Sequence, residues 1–175
     1  ELAKAINAGA AVTRLTLSGN MITCSINIDN PFRKPDYDKD LSGLISLCDA
    51  LLAMKNPIEL DLSECGLSVN GVNPVAKAIS AGAAIARIIL DGNPLTGGGP
   101  RDVDKDITAV TTLFDTLKTS CVTELSLANC RLGPGSLAKL AEYVREATAA
   151  LNEVNVAFNQ IGSEGGIALR DALKT

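Results

Sequence analysis

The strongest nucleophiles in the chain are five cysteines, at 24, 48, 65, 121 and 130, and there is no histidine. No two cysteines stand in a C-x-x-C or other metal-ligand spacing, and none has an imidazole to take its proton. Carboxylates come next. "DYDKD" (36–40) and "DVDKD" (102–106) set Asp36, Asp38 and Asp40, and Asp102, Asp104 and Asp106, at alternate positions, as a calcium loop begins. Such a loop also needs Gly at its sixth position and Glu at its twelfth. Here Leu41 and Leu47 fill those places in the first run, and Ile107 and Leu113 in the second. A simpler use is open to the same aspartates. Each run precedes an apolar-periodic stretch, "LSGLISLCDALL" or "ITAVTTLFDTLK". Asp40 and Asp106 therefore suit helix N-caps, with their neighbours complementing the helix dipole. "TGGGPRD" (96–102) lacks the Lys-Ser/Thr of a phosphate loop, and no G-x-S-x-G occurs. No catalytic residue, cofactor or metal is expected.

What remains is contact chemistry. Phe32, Arg33, Lys34 and Tyr37 bring aromatic and basic side chains together in one long loop, on a chain with only 3% aromatic residues. A loop of this kind on a rigid scaffold suits protein contact.

The scaffold is written in the repeats. "KAINAGAAVTRLTLSGN" (4–20) returns as "KAISAGAAIARIILDGN" (77–93). The shared core is apolar-x-apolar-x-x-Asn/Cys-x-apolar, found as "LTLSGNMI", "LDLSECGL", "IILDGNPL", "LSLANCRL" and "VNVAFNQI". Its anchors, Asn20, Cys65, Asn93, Cys130 and Asn159, alternate between carboxamide and thiol. Gaps of 28 and 29 residues follow the cysteines and gaps of 45 and 37 follow the first two asparagines, so the period is a pair of units and the longer gaps carry insertions, 24–40 and 96–106. Val12, Ile85, Val122 and Leu151 each lie eight residues before an anchor, a column that Pro57 breaks in the second unit.

Each unit reads as a short strand of period two, a turn and a helix. Val75 and Ile79, Leu140 and Val144, and Leu169 and Leu173 put one apolar helix face at fixed distances after an anchor. Leu2 and Ile6 sit ahead of Val12 as Val75 and Ile79 do ahead of Ile85, which predicts a helix at the N-terminus. "NPVAKAI" predicts Pro74 at a helix start. Strand, helix and parallel strand without reversal predict an α/β, right-handed solenoid, with strands on the concave face and helices on the convex face. Where the chain leaves each strand, a carboxamide or compact thiol under the turn would satisfy stranded backbone groups. Cys65 and Cys130 are thus expected to be packing residues.

Strand side chains then fall into columns. One is Arg14, Glu59, Arg87, Glu124 and Glu153, opening as a ladder of alternating charge; the next is Thr16, Asp61, Ile89, Ser126 and Asn155; the third is Ser18, Ser63, Asp91, Ala128 and Ala157. The plain reading is a solvated face of weak ion pairs. The functional one is a polar docking surface built on Arg14, Glu59, Asp61, Arg87, Ile89 and Asp91. No Trp or Tyr appears in any column to anchor a tight contact.

With "ELDLSECGL", "ELSLANCRL", the 28/29 spacing, the Cys/Asn alternation and "NQIGSEGGIALRDALK" (159–174), the chain resembles leucine-rich repeat proteins of the ribonuclease-inhibitor type. That resemblance implies a horseshoe segment and a non-catalytic protein-binding role. Members of the family include ribonuclease inhibitors, sensing regions of NOD-like receptors, activators of Ran GTPase and regulators of actin capping; the insertions depart from its pattern, so no single member's partner transfers.

Composition agrees. The 175 residues are 46% hydrophobic and 21% charged, enough for one layered core over residues 1–175. A net charge of −4 with no basic stripe argues against nucleic acid or an anionic membrane as partner. The odd cysteine count points to a reducing, cytoplasmic setting. The chain starts inside a helix pattern and lacks polar caps at its ends, as a piece of a longer array would. Self-association through uncapped ends, or a structural spacer role in a larger assembly, is therefore the alternative to a binding scaffold.

Overall fold

The computed structural model describes residues 12–24, 35–99, 101–147 and 151–174. In them strands and helices alternate: β1 (Arg14–Thr16), α1 (Ser42–Leu51), β2 (Ile58–Asp61), α2 (Val69–Ser80), β3 (Ile85–Ile89), α3 (Thr108–Leu117), β4 (Glu124–Ser126), α4 (Pro134–Glu146), β5 (Glu153–Asn155) and α5 (Gly162–Ala172). The helix expected around Leu2 and Ile6 lies outside the described residues. The five strands form one sheet in chain order, every pair parallel. Arg14, Glu59, Arg87, Glu124 and Glu153 stand side by side in its register, as do Thr16, Asp61, Ile89, Ser126 and Asn155. Pro57 does break its column, and the sheet repairs the break. Ile58 pairs with Ile85 across a register shift, so the apolar place is filled by the residue after the proline.

The core is a stack of equal layers. Leu60 and Leu62, Ile88 and Leu90, and Leu125 and Leu127 point inward from successive strands and are fully buried. Leu44, Leu47 and Leu51, then Val72, Val75 and Ile79, then Val110, Leu113 and Leu117 close the layers from the helices. In the flanking coils Leu15, Leu17, Val154 and Val156 are only partly buried, since each has a neighbouring layer on one side alone.

Leaving each strand, the chain turns through a left-handed residue just before the anchor: Gly19, Glu64, Gly92, Asn129 and Phe158, with φ between 53° and 75°. The anchor works beneath that turn. Cys65 Sγ donates to Leu17 O at 3.1 Å, Asn93 Nδ2 to Leu62 O at 2.8 Å, Cys130 Sγ to Leu90 O at 3.2 Å, and Asn159 Nδ2 to Leu127 O at 2.7 Å. Each bond reaches back one coil. The carboxamides also serve their own coil, Asn93 on Leu90 O and Asn159 on Val156 O, and accept amides of the coil before, Asn93 from Leu67 and Asn159 from Cys130 and Leu132. The thiols share this work more weakly. Cys65 Sγ accepts the backbone amide of Asn20, and Cys130 Sγ those of Asn93 and Gly92, in the coil before. Cys130 Sγ also reaches Ala128 O of its own coil at 3.5 Å. Asn20 caps only Leu17 O and Ser18 O and is exposed.

Pro74 is a correction. It lies inside α2, five residues past the helix start at Val69, and costs one helical hydrogen bond there. The proline at a helix start is Pro134, the first residue of α4.

Asn93→Ala should cost about 3 kcal/mol, because it orphans two buried carbonyls and one buried amide together. Asn20→Ala, at an exposed anchor, should cost about 1 kcal/mol or less. Urea-unfolding midpoints of the two variants check the ranking.

Candidate functional site

Two surfaces bring together residues singled out in the sequence. The first is the strand face. Glu59 sits between two guanidinium groups: Arg14 Nε and Nη2 lie 2.9 and 2.8 Å from its Oε2, and Arg87 Nε lies 3.9 Å from its Oε1. Arg87 Nη1 continues the ladder to Glu124 Oε2 at 3.2 Å, and the fifth rung is the exposed Glu153. These pairs are half-exposed, so each is worth under about 1 kcal/mol. Their effect is to hold four long side chains in line.

The other two columns are tied to the backbone. Asp61 Oδ1 accepts the Ser63 amide at 2.9 Å and its hydroxyl at 2.6 Å. Asp91 Oδ1 accepts the Ser126 hydroxyl at 2.7 Å and the Ala128 amide at 2.8 Å. Asn155 donates to Ser126 Oγ and accepts from Ala157 N, each at 3.0 Å. Ile89 is half-buried between Asp61 and Ser126. Asp61 and Asp91 thus shape the turns as well as the face.

The second surface is the loop edge, where the strands give way to turns. Each insertion is closed at its neck by a buried threonine: Thr23 O accepts from Lys39 N at 2.8 Å, and Thr96 O from Asp106 N at 3.0 Å. From there the repeated aspartates reach into the next coil. Asp38 accepts the amides of Ser68 and Asn70, both at 2.9 Å, at the start of α2. Asp104 accepts the amides of Gly133, Gly135 and Ser136 at 2.8, 2.8 and 3.1 Å, and the Ser136 hydroxyl, at the start of α4. A Cβ on Gly71 or Gly133 would come within 2.6 Å of these carboxylates, so both positions need glycine. Asp38 and Asp104 adopt left-handed φ of 55° and 53° to do this. A carboxylate ringed by N–H donors is not a cation ligand.

Asp40 and Asp106 do act on their own helices, but from one residue outside the expected place. Leu41 and Ile107 hold the N-cap positions, while Asp40 and Asp106 accept the amides of Ser42 and Thr108 at 2.9 Å. The hydroxyls of those two residues, more than their amides, hold both carboxyls below the usual range.

Phe32, Arg33 and Lys34 lie outside the described residues. Tyr37 is described. Its ring lies 5.8 Å below the guanidinium carbon of Arg131, whose Nη1 donates to Gly98 O. One arginine of the fourth coil thus joins the two insertions, which no spacing in the sequence signals. Phe158, also unmarked by the column reading, is 90% exposed at φ +58° and rims a small cleft with Arg131, Asn129 and Gln160. Its sequence signal was an aromatic residue in the slot that Gly19, Gly92 and Asn129 fill elsewhere.

All five cysteines are free. Burial pushes the Cys65 thiol up to about 11 and the Cys48 and Cys130 thiols to about 12. None of these three is a thiolate near neutrality.

A leucine-rich repeat family model matches residues 150–169. No curated protein matches the chain in sequence. Among solved structures, the tropomodulin C-terminal domain of Caenorhabditis elegans is similar, with a TM-score of 0.65 and 14% identity over 98% of this chain and 89% of that one. At that identity the likeness speaks for the fold. Together, the motif match and the fold support a leucine-rich-repeat-like α/β chain. No helix among the described residues is long and apolar enough to cross a membrane.

Asp104→Ala should lower stability by about 2 kcal/mol and leave the melting temperature insensitive to added calcium; thermal scans with and without calcium check both. Stability should also depend on alkaline pH. The buried thiols and Tyr143, whose phenol burial raises to about 12, are neutral when folded, whereas their ordinary values are 9.0 and 10.0. Their contribution is therefore complete below pH 9 and is lost as pH rises toward 12. Urea midpoints should fall across that window, and Tyr143→Phe should make the fall shallower.

Proposed function

We propose that this chain is a non-catalytic scaffold that binds another protein through its strand face and loop edge. Residues 1–175 form one leucine-rich-repeat domain of the ribonuclease-inhibitor-like type in this reading, with right-handed crossovers and the strands on the concave side. The strand-face residues are Arg14, Glu59, Asp61, Arg87, Ile89 and Asp91. Tyr37 belongs to the loop edge, together with Arg131 and Phe158, and Phe32, Arg33 and Lys34 are assigned to the partner contact from their sequence. Free thiols without activating partners fit a reducing, cytoplasmic setting.

One observation carries the reading. Phe158 is almost wholly exposed while its backbone sits in the left-handed region, which costs a side-chain-bearing residue about 1 kcal/mol. The turn before each anchor requires that conformation, but the ring of Phe158 is not needed for it, since Gly19 and Gly92 fill the same slot. Aromatic and arginine side chains side by side are the composition of interface hot spots, and Phe158 stands beside Arg131.

A second reading, self-association or a spacer role, has its own support. Leu173 is 77% exposed, and beside it Val144, Leu151, Val154, Val156 and Leu169 line an apolar groove on the last coil.

Phe158→Gly should raise the melting temperature by relieving the turn and at the same time abolish capture of the partner by immobilised protein. Arg131→Ala should also abolish capture. Capture unchanged in both variants would overturn the reading. Sedimentation over a hundredfold or so range of concentration addresses the second reading: a steady monomer removes it, and growth suppressed by Leu173→Asp supports it.

A further inference from the structure

The chain is a duplicated pair of units, and the two copies of one helix–helix contact differ in a way that leaves one of them an open groove. Ser42 and Thr108 open α1 and α3 at an offset of 66, and Val69 and Pro134 open α2 and α4 at an offset of 65. Core positions correspond: Leu47 with Leu113, Leu51 with Leu117, Val75 with Leu140. Between α3 and α4 the contact is closed. The rings of Phe114 and Tyr143 stack there, 6.3 Å between centroids and 8° from parallel, and both are buried. Outside them Lys118 Nζ seals the rim against Glu146 at 3.0 Å.

Between α1 and α2 the same four places hold Cys48, Ala78, Leu52 and Ala81. Two rings have become a thiol and a methyl group, and the rim ion pair has become two apolar side chains. The helices do not close over the loss. A groove of about 520 Å³ opens there, and all four residues line it. Ile45 and Leu52 stand on its lip, 45% and 43% exposed. The remaining charges on the walls are Asp49 on the α1 side and Lys77 on the α2 side, both exposed; Asp38, at one end, is held by the amides that start α2.

We propose that the α1–α2 groove receives an aromatic side chain from an amphipathic helix of a partner protein, taking the place that Phe114 and Tyr143 fill between α3 and α4. The volume left by two rings fits an aromatic anchor, and Cys48 offers its sulfur to the ring edge. Asp49 and Lys77, on opposite walls, select a helix with a basic residue along one edge and an acidic residue along the other. This deepens the scaffold reading and rests on it, but places the contact on the helix side, away from the Phe158–Arg131 edge. The Cys48 thiol, protonated at the groove floor, serves as packing surface and not as a nucleophile.

The test uses the whole chain, methyl-labelled at Ile, Leu and Ala, and synthetic helical peptides of one design. The first carries a central Phe with Lys on one edge and Glu on the other. The second replaces that Phe by Ala, and the third exchanges the edges. The Phe peptide should give saturable shifts at Ile45, Leu52 and Ala78 and bind at least about tenfold more tightly than the Ala peptide. The exchanged-edge peptide should also bind more weakly. Cys48→Phe with Ala78→Tyr, which rebuilds the ring pair, should remove binding without loss of melting temperature; if that protein does not fold, Ala78→Leu fills the slot more gently. Shifts that are absent, equal for the Phe and Ala peptides, or centred elsewhere overturn the proposal. Indole bound at the same methyls with no peptide bound makes the groove a small-molecule pocket and overturns it too. If the slot-filling variants capture the partner normally while Phe158→Gly does not, the groove proposal falls and the scaffold reading stands. Capture indifferent to both sets removes the scaffold reading itself.

Discussion

A carbonyl left without a ladder partner at the end of each strand is the constraint on which the architecture depends. In a stack of parallel coils that carbonyl is buried by the neighbouring coil, so water cannot satisfy it. Leu17 O, Leu62 O, Leu90 O and Leu127 O are all met from the following coil, by Cys65, Asn93, Cys130 and Asn159 in turn. The bonds run between coils, so they fix the register of one coil on the next while satisfying the backbone. Both anchor types do the same work with different strength. An asparagine side chain serves its own coil and the one before it. The thiol between two asparagines reaches the same kinds of group as a weaker donor and acceptor. The left-handed residue ahead of each anchor aims the backbone at that side chain.

The insertions are part of the same economy of backbone groups. A helix start leaves amides unpaired, and the bare turns before α2 and α4 supply no capping side chain of their own. Asp38 and Asp104, carried in from the preceding coil, fill that role, and each insertion is therefore latched at both ends: by a threonine neck in its own coil and by a carboxylate in the next. This explains why the period is a pair. A unit with an insertion and a bare unit complete each other's hydrogen bonding, and neither is a closed structure alone.

The sequence made legible whatever is set by local period and by the anchor template: parallel strands, their register, the inward faces of the helices and the polar columns. Pro74 misled because its proline-at-start signal is local, while the start of α2 is fixed by Asp38 from another coil. The aspartates were visible as a duplicated motif but not their targets, since a side chain capping the helix after next has no fixed spacing in sequence. The join of Tyr37, Arg131 and Gly98 was hidden for the same reason: it spans residues far apart in the chain and depends on how the two loops fold back. Phe158 was hidden in plainer view. It occupies a slot defined only once the left-handed turn is known.

Duplication also separates what the fold requires from what it permits. Positions that keep their type between the pairs, such as Leu47 and Leu113 or Leu51 and Leu117, are the layers that must fill the solenoid. Asp38 and Asp104 keep their type because the amides they meet recur. At Cys48 and Phe114, or Ala78 and Tyr143, the helix and its inward layer survive while the outer contact is closed in one copy and open in the other. A closed copy shows that the architecture accommodates the rings, and that closing the contact does not disturb the register beneath. The open copy shows that the stack stands without them. Tyr143 even carries a cost in the closed form, a buried hydroxyl with no hydrogen-bond partner among the described residues. The anchors and layers therefore hold the coils together unaided, and the outer seams between helices are free to differ in what they leave exposed.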